Sequence, residues 1–517
     1  MGNGRTYGRR KALGGKNMTM RVTGLASGLD TESIIAELVS VNSYKVASLQ
    51  KEQTKLSWKT DAWKSMNSKV YSFYTSTLSD LRFSSSYSTR KTTVSDSSVA
   101  TVTTSSKAAN TVQSMRVDKM AKAGYLTGGE LDGSVTAETK LSDIDSSLAG
   151  QTGKIGLKIG SGETVEIEIT EETTVQNIVD QLKEQGLNAN FDEKNQRMFI
   201  SAADTGEEYD FTLEGLDEAG TKALQALKID VNAADSDATK IDGQNAVIYL
   251  NNARFESESN TFEINGLTIN VLQETGDKEV TLTTGVDTEG MYSTIKNFLT
   301  KYNELMEEML TAYNADSSSG YEPLTSDEKS AMTESEIDEW EKKIKDSLLR
   351  RDETLGTTIS YMNQIMNQGF ELSDGTTMYL FDFGINTPGY FNAEQNQRNS
   401  FHIDGDKDDT VSSKNEDKLM AAINQDPDKV ASFFQKLAGA LYTKLTDLMG
   451  TSDYSSAYTL YNDKKMKTEY TDYTSKIAQA EEDLNDKMDR YYEKFAAMES
   501  AMAQLQNQQN SLTSMLG

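Results

Sequence analysis

Cysteine is absent from the 517-residue chain, which excludes disulfides, thiol catalysis and Cys-ligated zinc or iron–sulfur centres. Histidine occurs once, at His402, so any His-based triad or metal cluster would have to include it. It sits in SFHIDGDKDD, where Asp404, Asp406, Asp408 and Asp409 imitate a calcium loop. The sixth loop position is Asp409 in place of glycine and the twelfth is Asn415 in place of glutamate, so the EF-hand pattern fails twice. Three prolines (Pro323, Pro388, Pro427) rule out Pro-rich linkers. No apolar run is long enough to cross a bilayer, so no membrane insertion is expected. GGKN at Gly14 lacks the upstream glycine and the Ser or Thr of a P-loop, and GLASG sets Ser27 one position away from a nucleophile elbow. The chain therefore reads as a non-enzyme with no catalytic, metal or cofactor-binding residues.

Basic charge is also scarce. Asp and Glu number 80 against 52 Lys and Arg, for a net charge of −28, and such a chain repels nucleic acid and anionic lipid. Residues 1–17 run against this with Arg5, Arg9, Arg10, Lys11, Lys16 and no acid; once those five positive charges are set aside, the remainder carries −33. This atypical basic extension is expected to be disordered. No apolar run follows its basic residues, so a Sec-type signal peptide is not expected.

What the chain does have is helical periodicity at both ends. From Leu29 to about Leu81 there is no Gly or Pro, and Leu49, Leu56, Trp63 and Val70 recur every seven residues, with Met66 and Phe73 in a second apolar row. Near the C-terminus, Ile477, Glu481, Leu484, Met488, Tyr491, Phe495, Met498, Met502, Leu505, Gln509 and Leu512 step by four and three throughout. A seam that long predicts burial against other helices, some of them from other chains, more than a place in one globular core. Its Met and Gln content suits contacts that adapt and exchange. The acidic polar face (Glu481, Glu482, Asp483, Asp486, Asp489, Glu493, Glu499) excludes an amphipathic membrane helix.

Between these ends the pattern is mostly β. TTVSDSSVATVTTSSKAANTVQSMRVDKM alternates as strands. KIGLKI and TVEIEIT, a helix with a Thr173/Gln176 capping box ending at Gly186, then NANF and RMFISA predict an α+β module. TFEINGLTINV carries Asn265-Gly266 between alternating runs, a type I′ hairpin signal. MYSTIKNFLTKYNELMEEML and TESEIDEWEKKIKDSLLRRDETL then read as helices, the second opened by a Thr333/Glu336 capping box. The fold class expected is multidomain α+β. Long terminal helices form a coiled-coil or helical-bundle stalk, with nested β-rich and α+β head domains inserted between them. The expected domains are a helical leg (18–50 with 477–517), a helical-bundle stalk (51–90 with 288–476), a β-rich head (91–133 with 238–287) and an outer α+β head (134–237).

Taken in order, GLASGLDTESIIAELV, LSWKTDAWKSMNSKVYSF, NTFEINGLTINVL, IKNFLTKYNELMEEM, YEPLTSDEKSAMTESEIDEWEKKIKDSLLRRDETL, FDFGINT, DPDKVASFF and DRYYEKFAAMESAMAQLQNQQNSL resemble the bacterial flagellar filament cap, or flagellar hook-associated protein 2, family. The motifs cover most of the chain outside about residues 85–240; the stretch before Met18 does not match the family. The resemblance implies a homo-oligomeric ring, a pentamer, at the distal filament tip, with terminal helices as legs and β domains as a plate. It implies flagellin and the filament tip as partners, with extracellular export through the flagellar type III machinery aided by an export chaperone. On this reading Ile34, Leu38, Leu484, Met488, Tyr491, Phe495, Met498, Met502, Leu505 and Leu512 form the subunit and filament interface. Leu49, Leu56, Trp63, Val70 and Trp340 pack the stalk. The alternative it allows is a surface adhesin whose head domains bind a host mucin or glycan.

Overall fold

The computed structural model describes residues 28, 30–389 and 393–516, so the basic extension at residues 1–17 lies outside the described residues. In chain order, helix α1 (Thr31–Ser72) continues through a π-helical turn, Phe73–Leu78. Then come β1 (Arg90–Val94), β2 (Ala100–Thr104), β3 (Thr111–Lys119), β4 (Tyr125–Thr127), β5 (Gly153–Ile159), β6 (Val165–Ile169) and α2 (Val175–Glu184). They are followed by β7 (Asn188–Asp192), β8 (Arg197–Ser201), β9 (Phe211–Gly215), α3 (Glu218–Ala226), β10 (Thr239–Ile241), β11 (Ala246–Leu250) and β12 (Ala253–Ser257). Next are β13 (Thr261–Ile264), β14 (Leu267–Val271), β15 (Val280–Val286), α4 (Thr288–Tyr313), α5 (Glu334–Asp346), α6 (Glu353–Asn367), α7 (Pro427–Leu448) and α8 (Asp463–Leu516). The chain divides into two compact units. One is helical, taking described residues up to Arg82, Ile295–Ala421 and from Ser432 on; the other, β-rich, takes Phe83–Thr294 and Ala422–Ala431. The architecture is multidomain α+β, with a long helix near each end.

The β-rich unit holds two cores. In the first, a five-stranded antiparallel sheet (β1-β15-β3-β11-β12) and a three-stranded one (β13-β14-β2) share a cluster that includes Met115, Val117, Ile248, Leu282, Phe262 and Ile269. These residues alternate along their strands because only one face of each sheet is covered. Asn265 (φ 48°) and Gly266 (φ 80°) make the expected type I′ turn between β13 and β14. Asn251 and Asn252 (φ 50° and 66°) turn β11 into β12 in the same way. The Thr92 hydroxyl meets that of Thr284 at 2.8 Å and accepts from Thr104 at 2.8 Å, so β1, β15 and β2 are tied by a chain of hydroxyls.

The second core lies among β6-β5-β9, β10-β4-β8-β7, α2 and α3. Helix α2 buries Val175, Ile178, Val179 and Leu182, the i, i+3, i+4, i+7 face of an amphipathic helix. Its cap differs from the expectation by one residue. Thr174 and Asn177 form the capping box, while the Thr173 hydroxyl accepts from the Thr170 amide one turn earlier. Strand β9 and helix α3 belong to this module and were not expected. The module also reaches past residues 134–237, since β4 and β10 pair with each other and β4 pairs with β8.

In the helical unit, Phe73 stacks on Phe298 of α4 at 6.4 Å, and Phe383, Phe433 and Phe434 form a buried aromatic cluster. Thr333 and Glu336 cap α5 as expected. The segment TESEIDEWEKKIKDSLLRRDETL is two helices, however. Asp352 accepts from the amides of Thr354 and Leu355 and starts α6 anew, after Arg351 adopts φ +54°.

Candidate assembly surface on the terminal helices

Asp30 caps α1 through the Ser33 amide, and the unbroken, Gly- and Pro-free run that follows lets one helix carry a seam of ten steps. One row of α1, Ile35, Val39, Asn42, Val46, Leu49, Gln53, Leu56, Thr60, Trp63, Asn67 and Val70, runs in alternating steps of four and three and includes the residues that bond to α8 and to the turn before it. Ile35, Val39, Val46, Trp63 and Val70 are buried; Leu49 and Leu56 are half-buried. Three polar members of the row bond to α8 or to the turn before it. Asn42 Oδ1 accepts from Lys487 Nζ at 3.0 Å. Gln53 Nε2 donates to Thr474 Oγ1 at 2.7 Å and to the Tyr470 carbonyl at 3.3 Å. Asn67 Oδ1 accepts from the Leu460 amide at 2.8 Å while its Nδ2 donates to the Tyr458 carbonyl at 3.2 Å. Gln50 adds a bond to Glu481, 3.2 Å. Partner numbers fall as α1 numbers rise, so the two helices run antiparallel.

The C-terminal end of α1 and the turn after it are aromatic. Trp63 stacks on Tyr461 (5.5 Å, 10° between planes), Tyr71 touches Tyr458, and Tyr74 stacks on Tyr442 at 4.3 Å. Lysines of α1 reach the other helices: Lys51 to Glu328 at 2.8 Å, Lys59 to Asp352 at 3.0 Å and Lys69 to Glu308 at 2.8 Å. Trp340 is half-buried on α5, its indole donating to the Glu322 carbonyl at 2.9 Å and its ring edge-on to Tyr321. It therefore packs within the unit but not in the α1–α8 seam.

Coverage fades toward the other end. Leu484, Met488, Tyr491, Phe495, Met498 and Met502 are half-buried, and Leu505 and Leu512 are 64% and 59% exposed. Ile34 and Leu38 are 36% and 48% exposed, one residue round the helix from the buried Ile35 and Val39. Val41 and Tyr44 continue that open stripe. One helix cannot cover both flanks of its partner's apolar stripe, so the pair leaves apolar surface on each helix. Sequence reasoning named Ile34 and Leu38 as residues facing other chains, and did not name Ile35, Val39 and the amide members of the intrachain seam. The signal was present: the four–three rhythm counted back from Val70 reaches Ile35, with Asn67, Gln53 and Asn42 hidden in it as polar positions.

The acidic loop is committed internally. His402 Nδ1 lies 2.6 Å from Asp409 Oδ2, and Lys296 Nζ bridges Asp406 (2.8 Å) and Asp408 (2.7 Å). Asp404 accepts from Asn415 at 2.6 Å and Asn386 at 3.2 Å. Burial pushes the Asp409 carboxyl up, but the Val411 amide and His402 more than offset it and hold it below the ordinary value. Among the described residues no group of three or more His, Cys, Asp or Glu is set to hold a metal ion.

The family model described as the flagellar hook-associated protein 2 C-terminus matches residues 243–507, and the N-terminus model matches residues 27–124. Flagellar hook-associated protein 2 of Halalkalibacterium halodurans is 22% identical over 555 residues, covering 95% of this chain and 99% of that protein. Its counterpart in Thermotoga maritima is 27% identical over 356 residues, covering 66% of this chain and 52% of that protein. The solved D1-D2-D3 domains of the flagellar cap protein FliD from Escherichia coli align with a TM-score of 0.44 at 20% identity, over 75% of this chain and 97% of that one. On the match of its two ends, in order and over more than half its length, the chain belongs to the flagellar hook-associated protein 2 family.

Proposed function

We propose that the protein caps the flagellar filament. Copies form a ring, a pentamer, at the distal tip, retain exported flagellin, and template its folding and insertion into the growing filament. The paired α1 and α8 are the legs, and Ile34, Leu38, Leu484, Met488, Tyr491, Phe495, Met498, Met502, Leu505 and Leu512 contact neighbouring copies and filament subunits. The observation that carries this reading is the apolar surface the helix pair leaves open. Export through the flagellar type III machinery with a dedicated chaperone completes the proposal.

The energetics suit a leg that must let go. Burying a whole Leu side chain contributes roughly 1.5–3 kcal/mol, so half-exposed residues such as Leu38, Leu505 and Leu512 contribute about 1 kcal/mol each. A few such contacts hold a leg in place within an array yet break when a new subunit arrives. Met488, Met498 and Met502 fill irregular partners without a fixed shape.

Deleting residues 477–517 tests the proposal. Cells carrying the shortened chain should grow no filaments and shed flagellin, while circular dichroism shows the β-rich unit still folded. Normal filaments from that deletion would refute the role of the legs.

A further inference from the structure

Lys240 and Asp210 form an ion pair set apart by its enclosure. Lys240 Nζ lies 2.5 Å from Asp210 Oδ1, with the two side chains 15% and 22% exposed. Among the described residues no other lysine or arginine ion pair has both side chains covered that far. Lys296 with Asp406 comes nearest, and there the lysine is twice as exposed, at the wall of an open groove of about 340 Å³. Lys240 is on the edge strand β10, and Asp210 immediately precedes β9 of the other sheet in the second core. The Phe211 ring flanks Nζ at 4.9 Å. Glycines form two further walls: a side chain at Gly124 would strike the Asp210 carboxylate, and one at Gly243 would strike its Cβ. A second, exposed carboxylate stands beside the pair, with Asp242 Oδ1 3.4 Å from Nζ.

We infer that the folded chain joins Lys240 to Asp210 by an intramolecular amide bond. Passage of one proton across the 2.5 Å contact turns the ion pair into an amine and a carboxylic acid, so no outside acid or base is consumed. The Lys240 amine then attacks the Asp210 carboxyl carbon. Asp242 takes a proton from the attacking nitrogen and returns it to the departing oxygen, acting as general base and then general acid. One C–N bond forms, one C–O bond breaks and one water leaves; nothing is oxidised or reduced. Bulk water opposes this condensation between free molecules, but groups held in place react with effective molarities of about 10⁵–10⁸ M, which outweighs the water around them. The niche meets both demands of the step, holding the reacting groups together and setting a proton carrier within reach. The product suits its place. Strand β10 has three residues and is held in its sheet by pairing with β4, and the chain has no cysteine for a disulfide. An amide to Asp210 ties that edge strand to the opposite sheet. The inference goes beyond the capping role and does not depend on it.

The intact mass of the purified full chain is the test. The folded protein should be lighter than its sequence mass by one water molecule. Tryptic mapping should then find the segments around Asp210 and Lys240 in a single branched peptide, uncut after Lys240. Lys240→Arg keeps the charge but cannot form this bond, so it should restore the full mass while circular dichroism shows the β-rich unit folded. Asp242→Asn should leave the pair in place and slow the loss of water by about a hundredfold or more. A folded chain that keeps its full sequence mass after prolonged warm incubation would overturn the inference. A water lost elsewhere, at Lys296 with Asp406 or in an aspartyl succinimide, would overturn it too. An unchanged rate in Asp242→Asn would overturn the proton path through that carboxylate. None of these outcomes bears on the capping reading, so the two stand or fall separately.

Discussion

Replacing Asn67 by alanine removes the one side chain that holds both the Leu460 amide and the Tyr458 carbonyl against α1. Leu460 is buried, so its amide is left without a partner; Tyr458 is exposed, so water can replace the second bond. The loss is about 1.5–2 kcal/mol for the stranded donor and its hydrogen bond. The better helix propensity of alanine offsets about 0.5 kcal/mol of this, leaving a net of about 1–1.5 kcal/mol. All three tryptophans, Trp58, Trp63 and Trp340, lie in the helical unit, so their fluorescence reports its unfolding separately from that of the β-rich unit. With a slope of about 3 kcal/mol per molar urea for a unit of this size, the midpoint should fall by about 0.4 M. Ser68→Ala, at an exposed neighbouring position, should leave it unchanged. Equal midpoints for Asn67→Ala and the parent chain would refute the idea that this amide anchors the entry to α8.

Three further outcomes follow from the geometry. Thr92→Val breaks the hydroxyl chain and strands the buried Thr284 hydroxyl, so the β-rich unit should lose about 1–2 kcal/mol, read from the far-ultraviolet melt. Gly220→Ala would drive a methyl group into the Lys154 carbonyl oxygen, so that unit should lose more than about 1 kcal/mol, whereas Gly439→Ala, where the added methyl meets nothing, should be neutral or stabilising. Glu341 is pushed up by burial but held below its ordinary value by Lys329 and Lys345. Its stabilising contribution is therefore complete above about pH 4.5 and disappears as pH falls through the lower folded value. Glu341→Gln should flatten the acid limb of helical-unit stability; an unchanged limb would mean the pair is not coupled to folding.

Helices and hairpins with strong local signals were legible before any coordinates. The Gly- and Pro-free run of α1, the Asn265-Gly266 turn and the Thr333/Glu336 cap each rest on chemistry within a few residues. What escaped depends on distant partners. Strand β4 has only three residues, and its place is set by pairing with β8, over seventy residues away. The break between α5 and α6 turns on Asp352 being a better cap than a helix interior residue. In the seam, Gln53 and Asn67 look polar in sequence because the groups that satisfy them come from residues about four hundred positions later. The α1–α8 seam was half legible: the rhythm of α8 was plain, but which face of α1 meets it was not. Ile34 and Ile35 are equally apolar, and only the packing tells them apart.

The central claim is capping, and complementation of a cap-deficient motile strain of a related bacterium tests it most directly. Electron microscopy would score filaments while flagellin is measured in the medium and export of this protein is checked. The account predicts restored filaments with flagellin retained in them. Flagellin still leaking from cells that demonstrably export the protein would contradict it.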